Sequence, residues 1–368
     1  MKTKAAVAYE WNKPLVIDEL QLDEPQAGEV LVQFKAAGIC HSDLSVINGV
    51  VPLPPPLVAG HEGAGVVRQV GPGVSKVKPG DHIVMSWSPV CGVCYHCNKR
   101  QPYLCQLAAS TNHGMMIDQS FRLKKGDQPI NKMLGVGSFS EYNVVNQESV
   151  IRISEDIPFD IAAITGCAVS TGVGAVLRTA KVEPGSSVAV IGIGGVGINI
   201  IQGAALANAT RIIAIDVMEN KLKEATRFGA THTVNASQED PLEAVKTITA
   251  GVGADYAFEA LGKAETAKLA YGLIRAGGTA VIVGISQMEE ILPVPLMDLV
   301  FGEKIVKASY YGSIDVRTDL NLFFELYKLG KLRLKEMITK RYRHAEINQG
   351  FSDLVSGKNM RGVIIYSE

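Results

Sequence analysis

The sequence predicts an α/β chain in which a doubly wound parallel sheet follows a β-rich N-terminal part. Three observations lead there. Residues 1 to about 35 alternate in strand fashion, and the part that follows to Met85 is β-rich with short Gly and Pro connections; Val188 to Ile191 runs into a glycine turn and an apolar helix; and beyond Asp216 strands and helices take turns as far as Gly284. Runs of strands followed by regular alternation of the two element types distinguish a β-rich part from a parallel, helix-covered one.

Taken in order, Glu29 to Lys35 reads as a strand after a turn at Gln26-Ala27-Gly28. Cys40-His41-Ser42-Asp43 follows, and a proline-rich loop (Pro52, Pro54, Pro55, Pro56) leads to Gly60-His61-Glu62-Gly63-Ala64-Gly65. Val66 to Val70 is a strand closed by Gly71-Pro72-Gly73, and Lys78-Pro79-Gly80-Asp81 turns the chain into the strand His82 to Met85. Residues 106 to 145 read as a polar loop returning to a strand near Phe139 to Val145. From Ile161 the residues are small and apolar, consistent with a packed helix. Past Asp216 the expected helices are Lys221 to Phe228, Leu242 to Thr249 and Ala264 to Arg275, and the strands Asp255 to Glu259 and Thr279 to Gly284. The pattern changes near Tyr310-Tyr311-Gly312, and a helix (Leu320 to Leu329) and a strand (Gly362 to Tyr366) finish the chain.

The stretch from Ser186 to Asp216 organises the rest. Val188 to Ile191 reads as a strand covered on both faces, because it lacks in/out alternation. Gly192, Gly194 and Gly197 then fall at G-x-G-x-x-G spacing, with Gly195 and Val196 between them. The first glycine permits a tight turn, the second lets a pyrophosphate approach the backbone, and the third lets helix and strand pack closely. A helix from Ile198 to Ala209 would point its free N–H groups at the phosphates. The strand Arg211 to Ile215 ends on Asp216, about 20 residues on, where a carboxylate can bond both ribose hydroxyls. A membrane span is the alternative, since Ser186 to Thr210 carries no charge and is long enough; the glycines and the Val-Ala-Val-Ile opening argue against it. Asp216 points to NAD over NADP, because a 2′-phosphate would meet its charge and no Arg follows immediately.

At 368 residues the chain should hold two or three domains, and its formal net charge of −1 leaves no footprint for nucleic acid or an anionic membrane. Met1-Lys2-Thr3-Lys4 lacks the apolar run of a signal peptide, so a cytoplasmic enzyme is expected. In that compartment the six cysteines are ligands or nucleophiles before they are disulfides. Cys91, Cys94, Cys97 and Cys105 lie close enough in sequence for a closed tetrahedral zinc site; an iron–sulfur cluster or disulfides are the rivals. That leaves Cys40 and Cys167, with His61 in a Gly- and Pro-flanked loop beside Glu62. A catalytic zinc needs three protein ligands and an open position, and hydride transfer from an alcohol needs a Lewis acid on its oxygen. Spacing alone leaves open whether these three meet or are core cysteines and a loop histidine.

Gly60-His61-Glu62 with Gly65, Cys40-His41-Ser42-Asp43, the four-Cys stretch, Gly166-Cys167 and the Gly192–Gly197 turn together resemble the zinc-dependent medium-chain alcohol dehydrogenases, over essentially the whole chain. The long loop before Phe139 is similar to that of the liver-type and glutathione-dependent formaldehyde dehydrogenase group, and Gly195 to Asn199 to a bacterial nicotinoprotein-like branch. The resemblance implies a GroES-like β-rich catalytic domain (residues 1–168, with the structural zinc lobe at 91–105), a Rossmann domain at 169–310 and a return segment at 311–368. It implies Cys40, His61 and Cys167 as catalytic zinc ligands, Glu62 as a second carboxylate near the metal, Asp43 orienting His61, and Ser42 accepting the alcohol proton. Thr171 would pack on the nicotinamide, Asp216 and Lys221 hold the adenosine ribose, and His41 and Arg361 contact the pyrophosphate. Val51, Trp87, Met133, Leu134, Ile285 and Tyr310 would line the substrate channel, with Ile285 also against the cofactor.

The resemblance further implies an NAD-dependent dehydrogenase with two zinc ions, acting on medium-chain or aromatic primary alcohols, in a homodimer or homotetramer. Two departures qualify it. Ser45 stands where liver-type members place a proton-relaying histidine, and Leu107-Ala108-Ala109-Ser110 supplies no arginine for a glutathione carboxylate. An alkene reductase on the same scaffold, an S-hydroxymethylglutathione-type dehydrogenase and a non-enzymatic NAD-binding protein are the alternatives; the complete ligand set argues against the last.

Overall fold

The computed structural model describes residues 1–111 and 113–366. The chain forms two compact units: Met1–Cys167 with Asp315–Gly330 and Leu334–Glu368, and Ala168–Ile314 with Lys331–Arg333. The return to the first unit thus begins at Asp315, the N-cap of helix Val316–Lys328, rather than at residue 311.

In the first unit a closed barrel runs in the order Lys2–Ala8, Val16–Leu22, Leu123–Lys125, Gln128–Lys132 and Leu57–Val58. A seven-stranded sheet adjoins it, with Glu29–Ile39 at its centre between Gly63–Val70 and Arg361–Ile365, and Tyr142–Asn146 also paired to Glu29–Ile39. Ala5, Val7, Val32, Phe34, Ile83, Val144 and Ile364 are sealed in one core, as the alternating patterns of these strands require. The expected polar loop at 106–145 is a correction. It contains the hairpin Leu123–Lys125 and Gln128–Lys132, joined through Gly126-Asp127 with Gly126 at φ +58°, which supplies two barrel strands. Gly-Asp is a hairpin signal, but the flanking strands are too short and too polar to announce themselves.

The second unit holds six parallel strands in the order His232–Asn235, Arg211–Asp216, Ser187–Ile191, Ala254–Glu259, Ile274–Ile282, Ile305–Ala308. In chain order within the unit this is 3-2-1-4-5-6, and the order reverses beside Ser187–Ile191, at whose carboxyl end ligands of such sheets bind. Ala189, Ile191, Ile213, Ile215, Ala257 and Ala280 form its core. The helix after the glycine turn spans Gly195–Leu206, three residues earlier than expected, because Gly194 is its N-cap.

One helical run among the described residues, Phe159–Ala180, is long and apolar enough to cross a membrane, but of its 18-residue stretch with mean hydropathy 1.6, 89% is buried inside the fold. Its apolar residues are core residues. Its middle, Thr165–Val169, widens to a π-helical turn, and Cys167 sits within it. Such turns add a residue to the helix and re-aim a side chain.

Candidate metal and cofactor sites

Cys40 directly follows the strand Glu29–Ile39 and is the N-cap of helix His41–Ile47. That places Ser42 and Asp43 in the helix's first turn. The Asp43 carboxylate is buried and takes three donors: Cys40 N–H at 3.0 Å, Gly60 N–H at 3.2 Å and His61 Nδ1 at 2.8 Å. Gly60 is at φ +93°, and a Cβ there would stand 2.7 Å from the Phe139 nitrogen, so only glycine passes this corner. With Nδ1 bound to Asp43, the imidazole offers Nε2 as its ligand atom, the arrangement by which a carboxylate orients a metal-binding histidine.

Four donor atoms, from Cys40, His61, Glu62 and Cys167, lie within 4.8 Å of one another, and all four residues are buried. The Ser42 hydroxyl is 3.7 Å from the Cys40 sulfur. Burial disfavours a charged His61 ring, yet Asp43 and Cys40 outweigh it and raise its pKa well above normal. Burial lifts the Glu62 carboxyl to about 7 against the pull of Arg361. One Glu62 oxygen accepts from Arg361 Nη2, while the other, Oε1, is buried with no partner among the described residues. Two sulfurs and an imidazole nitrogen within such a radius fit a divalent zinc ion, and with those three as ligands a fourth position is left for an exogenous oxygen, beside the orphaned Glu62 Oε1. Gly38 makes room for this: a Cβ there would fall 1.9 Å from Glu62 Oε2.

The second cluster is Cys91, Cys94, Cys97 and Cys105, again within 4.8 Å. A tetrahedral ion with Zn–S bonds of about 2.3 Å spaces its sulfurs about 3.8 Å apart. The observed separations are 3.5 Å (Cys91–Cys105), 3.6 Å (Cys94–Cys97) and 3.9 Å (Cys94–Cys105), too long for disulfides and right for one shared ion. Backbone N–H groups of Cys97 and Gln106 hold the Cys94 thiol down to about 6, and Cys91 N–H donates to Cys105 Sγ at 3.3 Å. These bonds favour the thiolate, the form a metal takes, while burial pushes Cys97 up to about 12 and raises Cys105 as well.

In the second unit the glycine turn has the expected anatomy. Gly192 is at φ +90°, and a Cβ on Gly197 would come within 2.0 Å of the Gly192 oxygen. A Cβ on Gly194 would meet nothing within 4 Å, so that face is open to a ligand. Gly195, Val196 and Gly197 form the first helical turn, whose N–H groups have no partner within the helix. Asp216 accepts Ile193 N–H at 2.8 Å and Met218 N–H at 3.0 Å, with Lys221 Nζ 3.7 Å away. Thr171 is on helix Ser170–Gly174, which packs so tightly here that a Cβ on Gly172 would stand 2.6 Å from the Val196 oxygen. This cradle fits a dinucleotide's pyrophosphate and adenosine ribose.

Other expected residues are placed less uniformly. Val51, Trp87 and Leu134 are carried by the first unit and Ile285 and Tyr310 by the second; Val51, Ile285 and Tyr310 are exposed, and Trp87 and Leu134 pack on the first unit's core. His41 is exposed at the start of its helix. Met133, expected in the channel, is buried in the first unit's core cluster, on the turn Met133–Gly135. Arg361, expected on the pyrophosphate, is buried and paired to Glu62. Their 299-residue separation left no sequence signal for that pair.

Residues 26–155 match the alcohol dehydrogenase GroES-like domain, and residues 195–325 the zinc-binding dehydrogenase family. The chain is 43% identical to the NDMA-dependent alcohol dehydrogenase of Amycolatopsis methanolica and 38% identical to the S-(hydroxymethyl)glutathione dehydrogenase of Paracoccus denitrificans, covering all of each. The benzyl alcohol dehydrogenase structure from Acinetobacter calcoaceticus superposes with a TM-score of 0.95 at 31% identity, over the whole of both chains. With matched domains at both ends and full-length relatives, the chain belongs to the zinc-dependent medium-chain alcohol dehydrogenase family, oxidoreductases that use zinc and a nucleotide cofactor.

Proposed function

We propose that this enzyme interconverts medium-chain or aromatic primary alcohols and their aldehydes, with NAD as hydride carrier and two zinc ions per chain. The observation that carries the reading is the buried Cys40, His61 and Cys167 donor set with the Ser42 hydroxyl 3.7 Å from its first sulfur. When bound there, zinc supplies Lewis acidity toward an alcohol oxygen, and a nicotinamide supplies the hydride acceptor.

The chain's own residues do the remainder. Ser42 Oγ accepts the alcohol proton and passes it outward. Asp43 fixes the His61 tautomer and ring plane so that Nε2 points at the donor cluster. Arg361 neutralises one side of Glu62, keeping a buried carboxylate beside the metal donors at a bearable cost. Asp216 takes the ribose hydroxyls and repels a 2′-phosphate, which supports NAD over NADP. Ser45 stands where a histidine would relay the proton, so Ser42 would hand it on without a side-chain relay at that position, and a bound cofactor's ribose hydroxyl would supply the next acceptor; a Ser45→His variant should therefore show a shifted pH–rate profile.

The aromatic preference draws support from the benzyl alcohol dehydrogenase likeness. The relative named for NDMA dependence makes an artificial electron acceptor a necessary arm of any assay. Turnover of S-(hydroxymethyl)glutathione is disfavoured by the uncharged Leu107-Ala108-Ala109-Ser110. A homodimer is part of the proposal: Met297, Val300, Phe301, Ile305 and Val306 are exposed beside the edge strand Ile305–Ala308. So is a cytoplasmic location, supported by six cysteines with no disulfide among the described residues. The test is a panel of alcohols, aldehydes and enals assayed with NAD, NADP and NDMA, together with zinc per chain. Benzyl or medium-chain alcohol oxidation with about two zinc ions supports the reading; enal reduction without alcohol oxidation overturns it.

A further inference from the structure

The four-cysteine lobe has a charged neighbour that no metal-ligand motif contains. Four thiolates around one divalent ion carry a net double negative charge, and the lobe sits at the surface with Cys91, Cys94 and Cys97 only half-buried. Arg317, far away in sequence on helix Val316–Lys328, reaches this lobe within the same unit. Its guanidinium is aimed by Asp315, which accepts from Nε at 2.9 Å and from Nη2 at 2.7 Å. That grip leaves Nη1 facing Gly92, 3.4 Å from where a Cβ would stand on that residue. Gly92 is at φ +78°, next to Cys91, and its N–H bonds the Cys97 sulfur. By contrast Lys99, within the lobe, lies over the Tyr95 ring at 5.9 Å.

We propose that Arg317 is a positioning residue of the four-cysteine zinc site, its Asp315-anchored guanidinium closing over Gly92 and holding the thiolate cluster, and the metal in it, against release. The inference rests on the lobe being a zinc site. The Asp315–Arg317 pair is neutral overall, but it is a dipole whose positive end is turned to Gly92 and interacts electrostatically with Cys97 and Cys105. A planar fork held by two bonds keeps that orientation where a flexible ammonium would keep only the charge. The Arg317 side chain is 44% exposed, so its effect is screened by salt. The helix start does not depend on it, because the Arg317 backbone N–H caps on Asp315 whatever its side chain.

The test is zinc release from the full-length holoprotein to a chromophoric chelator, with Cys105→Ser identifying the phase that belongs to the lobe. In Arg317→Ala that phase should run about tenfold faster at low ionic strength, within the range for groups supporting metal ligands. Arg317→Lys should recover part of the difference, and roughly 1 M salt should shrink it. The phase from the Cys40 site should not move. An unchanged lobe phase in Arg317→Ala, or one accelerated equally in Arg317→Lys and insensitive to salt, overturns the proposal. A parent protein whose zinc content Cys105→Ser leaves unaltered overturns the metal reading of the lobe itself, a separate failure.

Discussion

Replacing Asp43 by Asn tests whether the catalytic donor set is organised from outside the ligand shell. In the native site one carboxylate oxygen accepts both Gly60 N–H, at 3.2 Å, and His61 Nδ1, at 2.8 Å, while the other accepts Cys40 N–H at 3.0 Å. An amide of the same shape has one acceptor only. If its oxygen serves Gly60 and His61, its NH2 group confronts the Cys40 N–H, and a buried donor is left unpaired at a cost of about 1–3 kcal/mol. Losing the ionic character of the His61 bond adds about 1 kcal/mol, the difference between charged and neutral hydrogen bonds. The expected total is about 2–4 kcal/mol of stability, with zinc affinity at the Cys40 site lower by about 10–100-fold. Urea unfolding of the metal-free protein reads the first number and zinc competition with a chelator reads the second. A variant within about 0.5 kcal/mol of the parent and with equal zinc affinity would falsify the claim that Asp43 orders Cys40, Gly60 and His61 together, a threshold near the error of such measurements.

Gly197→Ala puts a methyl 2.0 Å from the Gly192 oxygen, so the turn must open; we expect a loss of about 1–3 kcal/mol and at least tenfold weaker NAD binding, read by thermal unfolding and cofactor titration. Asp216→Ala frees the Ile193 and Met218 N–H groups and removes the charge that opposes a 2′-phosphate, so the NAD-to-NADP ratio of kcat/KM should fall at least tenfold. Burial pushes the Lys132 ammonium down to about 7, below its ordinary value, so between pH 7 and about 10 the unfolded chain binds more protons than the folded one. Stability from this group therefore rises with pH, by roughly 2 kcal/mol between pH 7 and 9, and Lys132→Met should remove that slope in urea titrations at the two pH values. Phe301→Lys, at a side chain 78% exposed beside the edge strand, should convert a dimer to monomers on size exclusion; an unchanged mass places the interface elsewhere.

How much of this was legible in the sequence depended on distance along the chain. The four-cysteine lobe and the Gly192–Gly197 turn are local: their atoms meet because short segments fold on themselves, so spacing and residue type suffice. Strand and helix in the second unit followed from periodicity, though the helix start moved to Gly195 because an N-cap glycine carries no periodic signal. The hairpin Leu123–Lys132 escaped because three- to five-residue polar strands gain their stability from barrel neighbours rather than from their own pattern.

By itself, then, the sequence determined the parallel sheet, the glycine turn and a four-cysteine lobe, all properties of contiguous residues, and through resemblance it pointed to Cys40, His61 and Cys167 as zinc ligands. Only the tertiary structure decided that Cys40, His61, Glu62 and Cys167 share one buried pocket, that Arg361 serves Glu62, that Met133 is core, and that Arg317 leans on the cysteine lobe. Those contacts join elements far apart in the chain, and what brings them together is the packing of the first unit's barrel, sheet and helices, which no local pattern records.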